Sequence, residues 1–151
     1  FCYLSYLSTD GKNGTSSFPV KASTQTALPF LYTSPSQNPI CTLTWNQNGS
    51  IIKFKKTGHY FLDFNFAVLG TAANFRWTTC IVSTTSLNSN YLYSICQTNT
   101  INNTLSYIND SKIVYLKKDN EMSIYIKPTY AITMYGSSTV YTTFNIIRIG
   151  G

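Results

Sequence analysis

Gly58-His59-Tyr60-Phe61-Leu62-Asp63-Phe64-Asn65-Phe66-Ala67-Val68 is the stretch that decides the fold. Tyr60, Leu62, Phe64, Phe66 and Val68 share one parity, while His59, Asp63 and Asn65 lie on the other. Successive side chains of a strand point to opposite faces, so this period predicts a long strand with one face in a core. Upstream, Ile51-Ile52-Lys53-Phe54 reads as a strand that breaks at Thr57-Gly58. Before it, Cys41-Thr42-Leu43-Thr44-Trp45 alternates up to the turn Asn46-Gln47-Asn48-Gly49, a hairpin signal.

Further out, Lys21 to Tyr32 reads as an edge strand interrupted by Pro29, Ser34 to Pro39 as a loop, and Asp10 to Ser17 as a turn-rich start. Downstream strands are expected at Arg76 to Val82, Tyr91 to Gln97, Lys112 to Leu116, Met122 to Ile126 and Tyr141 to Ile149. Between two of them, Lys117-Lys118-Asp119-Asn120-Glu121 forms a tight turn in which Asp119 and Asn120 can take left-handed backbone angles. Many short strands with regular turns predict an all-β, two-sheet antiparallel jelly-roll sandwich. Residues 1–20 read as an N-terminal arm and 21–151 as one domain.

Bulk properties agree. A chain of 151 residues suits one domain, and 43% hydrophobic residues suffice for a core. Only 11% are charged, well under the quarter or so of an ordinary soluble domain, while 12 Tyr and 9 Phe favour pleated surfaces. No stretch approaches the roughly 20 apolar residues that cross a bilayer, so no direct membrane insertion is expected. A start at Phe1 suggests a mature product or an excised domain.

One histidine and five acids leave little material for catalysis, and neither a nucleophile elbow nor a phosphate-cradling loop is present. The chain is therefore expected to bind, not to catalyse. No cofactor is expected; oxygen-rich loops leave room only for calcium, with Asp110 as its nearest approach to a ligand. The net charge of +6 has two local clusters, Lys53, Lys55 and Lys56, then Lys117 and Lys118. They read as solvated turns and strand faces, with an acidic cell-surface sugar as the alternative. Nucleic acid is not expected, because the aromatics of Tyr60 to Phe66 fall mainly on the core parity.

Of the four cysteines, Cys80 and Cys96 flank a Ser/Asn-rich turn whose midpoint is Asn88, so a hairpin would set them face to face near disulfide range. The alternative is two buried thiols. Cys2 and Cys41 form a second candidate pair, tying down the N-terminal arm. Asn13, Asn48, Asn102 and Asn109 each begin an Asn-x-Ser/Thr sequon in an expected loop. Together these features predict an oxidising, extracellular setting.

The order of these pieces resembles the globular head of complement first-component q, within the tumour-necrosis-factor-like superfamily. That family carries a Gly-x-Tyr-x-Phe-x-Phe strand, matched here by Gly58, Tyr60, Leu62 and Phe64, with Leu62 in place of an aromatic. Trp45, Asn48-Gly49 and the Ile51–Phe54 strand look like the approach to it. Leu116-Lys117-Lys118-Asp119-Asn120 stands for Leu-x-x-Gly-Asp, with Asp119 where glycine is usual. Tyr141-Thr142-Thr143-Phe144 stands for the final aromatic-x-Gly-aromatic, without the glycine.

The likeness runs from Lys21 to Ile149. It implies a ten-strand jelly roll that trimerises around a hydrophobic axis, caps a stalk and binds a cell-surface protein or glycan. With an Asn/Ile/Tyr/Lys-leaning composition, the reading leans towards the tip of a viral or phage fibre or spike. The alternatives are a secreted ligand that binds protein receptors, and a purely structural trimerisation or capsid-decoration module. Recognition is expected in the loops Thr71 to Phe75, Ser83 to Asn90, Thr98 to Asn109 and Thr129 to Thr139. Tyr130, Met134 and Tyr135, beside Gly136-Ser137-Ser138, and Asn88 with Tyr91 are the candidate binding residues. Tyr130 and Met134 have the trimer axis as their alternative place.

Overall fold

The computed structural model describes residues 1–70, 77–86, 92–99, 105–137 and 139–151, those of 77–86 and 92–99 by their backbone. The alternating segment forms one continuous strand, Gly58–Gly70, and Tyr60, Leu62, Phe64, Phe66 and Val68 are all at most 2% exposed. His59 on the opposite parity is exposed.

Among the described residues thirteen strands follow in order. They are β1 (Cys2–Leu7), β2 (Phe18–Val20), β3 (Thr26–Ala27), β4 (Phe30–Ser34), β5 (Cys41–Thr44), β6 (Ile51–Phe54), β7 (Gly58–Gly70), β8 (Trp77–Ser86), β9 (Leu92–Asn99), β10 (Leu105–Leu116), β11 (Glu121–Pro128), β12 (Ile132–Met134) and β13 (Thr143–Gly150). Three of them, β2, β3 and β12, are only two or three residues long, which leaves ten strands of the expected kind. The first sheet runs β2-β12-β7-β13-β1-β4, with β10 along the other edge of β7. The second runs β5-β6-β11-β8-β9, with β3 on β11. Every pairing is antiparallel, and the two sheets enclose one hydrophobic cluster.

Aromatic rings organise that cluster. Phe64 stacks on Phe144 with centroids 4.8 Å apart and meets Phe66 edge-on at 5.7 Å. Phe54 of the second sheet meets Tyr60 of the first edge-on at 4.9 Å. Each such buried side chain contributes about 1.5–3 kcal/mol of transfer free energy, and offset or edge contacts add to it.

Two turns explain the residue types found there. Asp119 has φ 68, the left-handed conformation that favours glycine, and its N–H donates to Phe54 O at 2.7 Å. Asn120 closes the same turn through its side chain, which accepts from Lys117 N at 2.8 Å, so the expected left-handed angle falls on Asp119 and not on Asn120. At Gly58 a Cβ would collide with Gly150 O and come within 2.8 Å of Arg148 Nε, so only glycine lets β13 end against the start of β7.

Several expected boundaries shift. Cys2–Leu7 is no outlying arm: β1 lies inside the first sheet between β13 and β4, and Cys2, Leu4 and Leu7 are fully buried. Its alternation slips at Tyr6, whose φ is 61, so Leu4 and Leu7 both face inward although three residues apart; no period-two reading finds such a strand. Polar residues also extend strands beyond their apolar centres. Ser83–Ser86 belongs to β8 and Leu105–Asn109 to β10, which shortens two of the expected loops. Within the fourth, Ile132–Met134 forms β12 between β2 and the end of β7.

Candidate recognition face

β7, β10 and β13 lie side by side in exact-parity register, so their odd-numbered residues form rows on the outer face of the first sheet. Ile113, Phe61 and Ile147 make one row, and Tyr115 lies opposite His59 in the next. Their rings approach to 5.1 Å. Ile113 and Tyr115, on the edge strand β10, are 59% and 53% exposed. Further along come two polar rows, Ser111–Asp63–Asn145 and Asn109–Asn65–Thr143, then Tyr107 and Leu105. Asn145 Nδ2 donates to Asp63 Oδ2 at 3.3 Å within the first of these.

Tyr32 on β4 and Ile149 on β13 extend the apolar surface. Among the described residues, every large exposed hydrophobic side chain lies on a strand of this sheet, except Phe1, which immediately precedes β1. Ile113, Phe61 and Ile147 with Tyr115 and, beyond the two polar rows, Tyr107 with Leu105 form apolar patches that mark a surface made to be covered.

At the β1–β4 edge of the same sheet a cavity of about 450 Å³ opens, lined by Tyr6, Tyr32, Lys12, Asn13 and Ser137 among others. Tyr6 is wedged between Tyr32 and Tyr141, at 5.8 and 5.2 Å between centroids. The loop that carries Lys12 and Asn13 is set by Asp10, whose carboxylate accepts from the backbone N–H of Asn13 and Lys12 at 2.9 and 2.8 Å. Those bonds hold its pKa down at about 2. Gly14 packs directly on Gly136, where a Cβ would strike the Gly136 carbonyl, and Gly136 N donates to Thr15 O at 2.9 Å. Sequence reasoning missed this cavity, because Tyr6 faces it only through a left-handed residue that nothing in Ser5-Tyr6-Leu7 announces.

Of the candidate binding residues, Met134 is fully buried within the core cluster, because β12 turns it inward; it is neither a contact residue nor an axis residue. Tyr130 and Tyr135 are half-buried. Asn88, Tyr91 and the loops around residues 71–76, 87–91 and 100–104 lie outside the described residues. Asp110 lies in a strand, paired with Phe64, and its Oδ1 accepts from Ser111 N at 2.8 Å. Among the described residues no three His, Cys, Asp or Glu side chains gather as a metal site would require.

The register of β8 and β9 sets Cys80 opposite Cys96. Cys2, on the first sheet, and Cys41, on the second, are buried free thiols that meet across the core closely enough to perturb each other. The interaction between the two thiols, with burial, raises Cys41 well above the usual thiol range, while at Cys2 the same interaction outweighs burial and lowers the thiol. Asn38, a buried polar residue, clips the two neighbourhoods together, donating to Phe1 O at 2.7 Å and accepting from Ile40 N at 2.9 Å. Of the sequons, Asn13 and Asn48 lie in exposed turns, Asn102 lies outside the described residues, and Asn109 lies within β10, not in the expected loop.

No family model matches the chain, and no curated protein matches it. Solved structures do. A tumour necrosis factor, Eiger, from S. frugiperda superposes with a TM-score of 0.65 at 12% identity, covering 98% of this chain and 90% of that one. Murine APRIL gives 0.61 at 10% identity, covering 98% and 97%. The globular domain of zebrafish complement 1qA gives 0.51 at 14% identity, covering 99% and 98%. With so little identity the match is one of backbone architecture over nearly the whole length of both partners. The chain has the tumour-necrosis-factor-like jelly-roll fold that the complement 1q globular domain shares.

Proposed function

We propose that this chain is a homotrimeric head that binds a cell-surface protein or glycan, its copies packed through the outer face of the first sheet. The observation that carries the reading is the pair of rows Ile113–Phe61–Ile147 and Tyr115–His59, an apolar surface three strands wide on a sheet whose other face already fills the core. Covering it removes its side chains from water at about 25 cal/mol per Å². A closed cyclic arrangement covers the face on every copy with no surface left over. The similar solved structures include an insect tumour necrosis factor and a complement 1q domain, which supports an extracellular ligand as one setting. The tip of a viral or phage fibre is the other, and it rests on composition alone. In either, recognition falls to surfaces the trimer leaves open, among them Tyr130, Tyr135 and the loop that contains Asn88, next to Tyr91.

Light scattering on the purified domain at micromolar concentration tests the assembly. A stable mass of three times 16.9 kDa is expected. A monomer across that range would sink the trimeric reading. Saturable binding of the trimer to cells then separates a recognition head from a purely structural module.

A further inference from the structure

The two lysine clusters that are far apart in sequence meet in space. Thr57 is the hub. Its Oγ1 accepts from Lys118 N at 2.9 Å, and its carbonyl accepts from Arg148 Nη2 at 2.7 Å and Nε at 3.1 Å. Phe54 and the Lys117–Asn120 turn exchange backbone hydrogen bonds, Asp119 N to Phe54 O and Phe54 N to Asn120 O. Lys53, Lys55, Lys56, Lys117, Lys118 and Arg148, six of the chain's eleven basic residues, therefore crowd one end of the sandwich, and all six are exposed.

Two carboxylates answer them. Asp119 pairs with Lys53 at 3.7 Å, and Glu121 lies opposite Lys53 in the sheet. Lys55 Nζ donates to Asn38 O at 2.6 Å, which fixes its position without neutralising it. Among the described residues no carboxylate pairs with Lys56, Lys117 or Lys118. Positive charge held this densely on fixed turns raises the local concentration of anionic ligands.

We infer that this end is a binding surface for a sulfated polysaccharide, an inference that takes cell-surface binding as its premise and names the ligand class. A linear polyanion matches a broad rim of ammonium groups because each contact releases condensed counterions, with no pocket required. Single-stranded nucleic acid fits less well, since its binders interleave exposed rings with the cations. Here the nearest exposed rings, Tyr115 and His59, belong to the face that the copies would cover. A trimer joined through that face sets three basic ends around one axis, so one long chain can engage several at once.

The test compares two triple variants with the same loss of charge. Lys56→Gln/Lys117→Gln/Lys118→Gln removes cations of this end, while Lys12→Gln/Lys21→Gln/Lys127→Gln removes exposed cations towards the opposite end. Binding to heparin oligosaccharides is titrated at several salt concentrations, with mass and thermal unfolding checked for each variant. The first triple is expected to weaken binding at least tenfold and to flatten the slope of log K against log salt by about two to three. The second is expected to change affinity less than about twofold. Equal losses in both would overturn the inference, as would no heparin binding at physiological salt or equally tight binding of a duplex DNA of matched length. Cell binding of the unmodified head that survives heparinase treatment also overturns it while leaving the proposed function standing. No binding to untreated cells, with heparin binding intact, overturns the proposed function instead.

Discussion

The two sheets contribute alike to the core and differ on their outer faces. On the second sheet, Thr42, Lys53 and Glu121 form a row across β5, β6 and β11, and Thr44 and Lys127 are exposed further along β5 and β11. Among the described residues, that face is finished by water. On the first sheet the equivalent positions are Ile113, Phe61 and Ile147, with Tyr115, Tyr107 and Leu105 along the same strand. A strand buried on both faces reads as nearly continuous hydrophobic sequence, whereas one solvated face gives alternation. β7 alternates and β10 does not follow suit, because apolar residues occupy both of its parities: Ile108, Val114 and Leu116 point inward, while Tyr107, Ile113 and Tyr115 point outward. The contrast teaches that burial inside one copy does not finish the first sheet.

The shared layer sets the largest effect. Phe144→Ala removes a ring stacked on Phe64 and packed near Phe30 at 6.4 Å. A loss of about 3–5 kcal/mol in unfolding free energy is expected, measured by denaturant titration below the association range. A loss under about 1 kcal/mol would mean that the layer between the sheets is not the close-packed unit described here.

Next comes the link between the sheets. We propose that Cys2 and Cys41, which meet across the core, close to a disulfide under oxidising conditions, and that Cys80 and Cys96, opposite each other in the register of β8 and β9, form a second. Closing a loop as long as Cys2 to Cys41 is worth about 2–4 kcal/mol. Protein refolded in air is expected to show non-reducing cleavage fragments joined at these pairs, and Cys2→Ser is expected to lower stability by that amount only in oxidised samples. An equal loss in reduced samples would assign the effect to packing of the buried thiol instead.

The sharpest test of the contrast itself is a matched pair. Ile113→Asp on the first sheet and Thr42→Asp on the second each put one carboxylate on an exposed strand position. The first is expected to cost at least about 2 kcal/mol at each interface and to give a folded monomer by light scattering. The second is expected to leave the trimer mass unchanged and stability within about 0.5 kcal/mol. Equal behaviour of the two would erase the distinction between the faces.

Much of this was legible in the sequence. The parity of Tyr60 to Val68, the turn at Asp119 and the opposition of Cys80 and Cys96 follow from local rules, because period-two alternation and turn chemistry act over a few residues. The rest depends on what lies across the sheet. Ser106, Asn109 and Ser111 look like loop residues until their register with β7 is known, and Tyr6 hides a strand behind one left-handed residue. Met134, placed among anchors in the sequence, is turned inward by a three-residue strand that exists only because β2 and β7 flank it. The convergence of Lys55, Lys56, Lys117 and Lys118 on Thr57 was equally invisible, since some 60 residues separate the clusters.

The smallest effect concerns the sequons. Asn109 lies in the polar row Asn109–Asn65–Thr143, within the face proposed to be covered, whereas Asn48 lies in a turn away from it and Asn13 in a turn at the β1–β4 edge of the sheet. A glycan on Asn109 would stand on the surface where copies pack, and its bulk would hold them apart. Trimer secreted from eukaryotic cells is therefore expected to carry glycan at Asn13, Asn48 or both and none at Asn109. Asn109→Gln, a polar exchange at an exposed strand position, is expected to shift stability by less than about 0.5 kcal/mol and to leave the trimer intact. Site-by-site mass spectrometry decides the matter. Full occupancy of Asn109 in a stable trimer would move the packing surface away from β10, and the contrast between the two outer faces would then need a different partner to explain it.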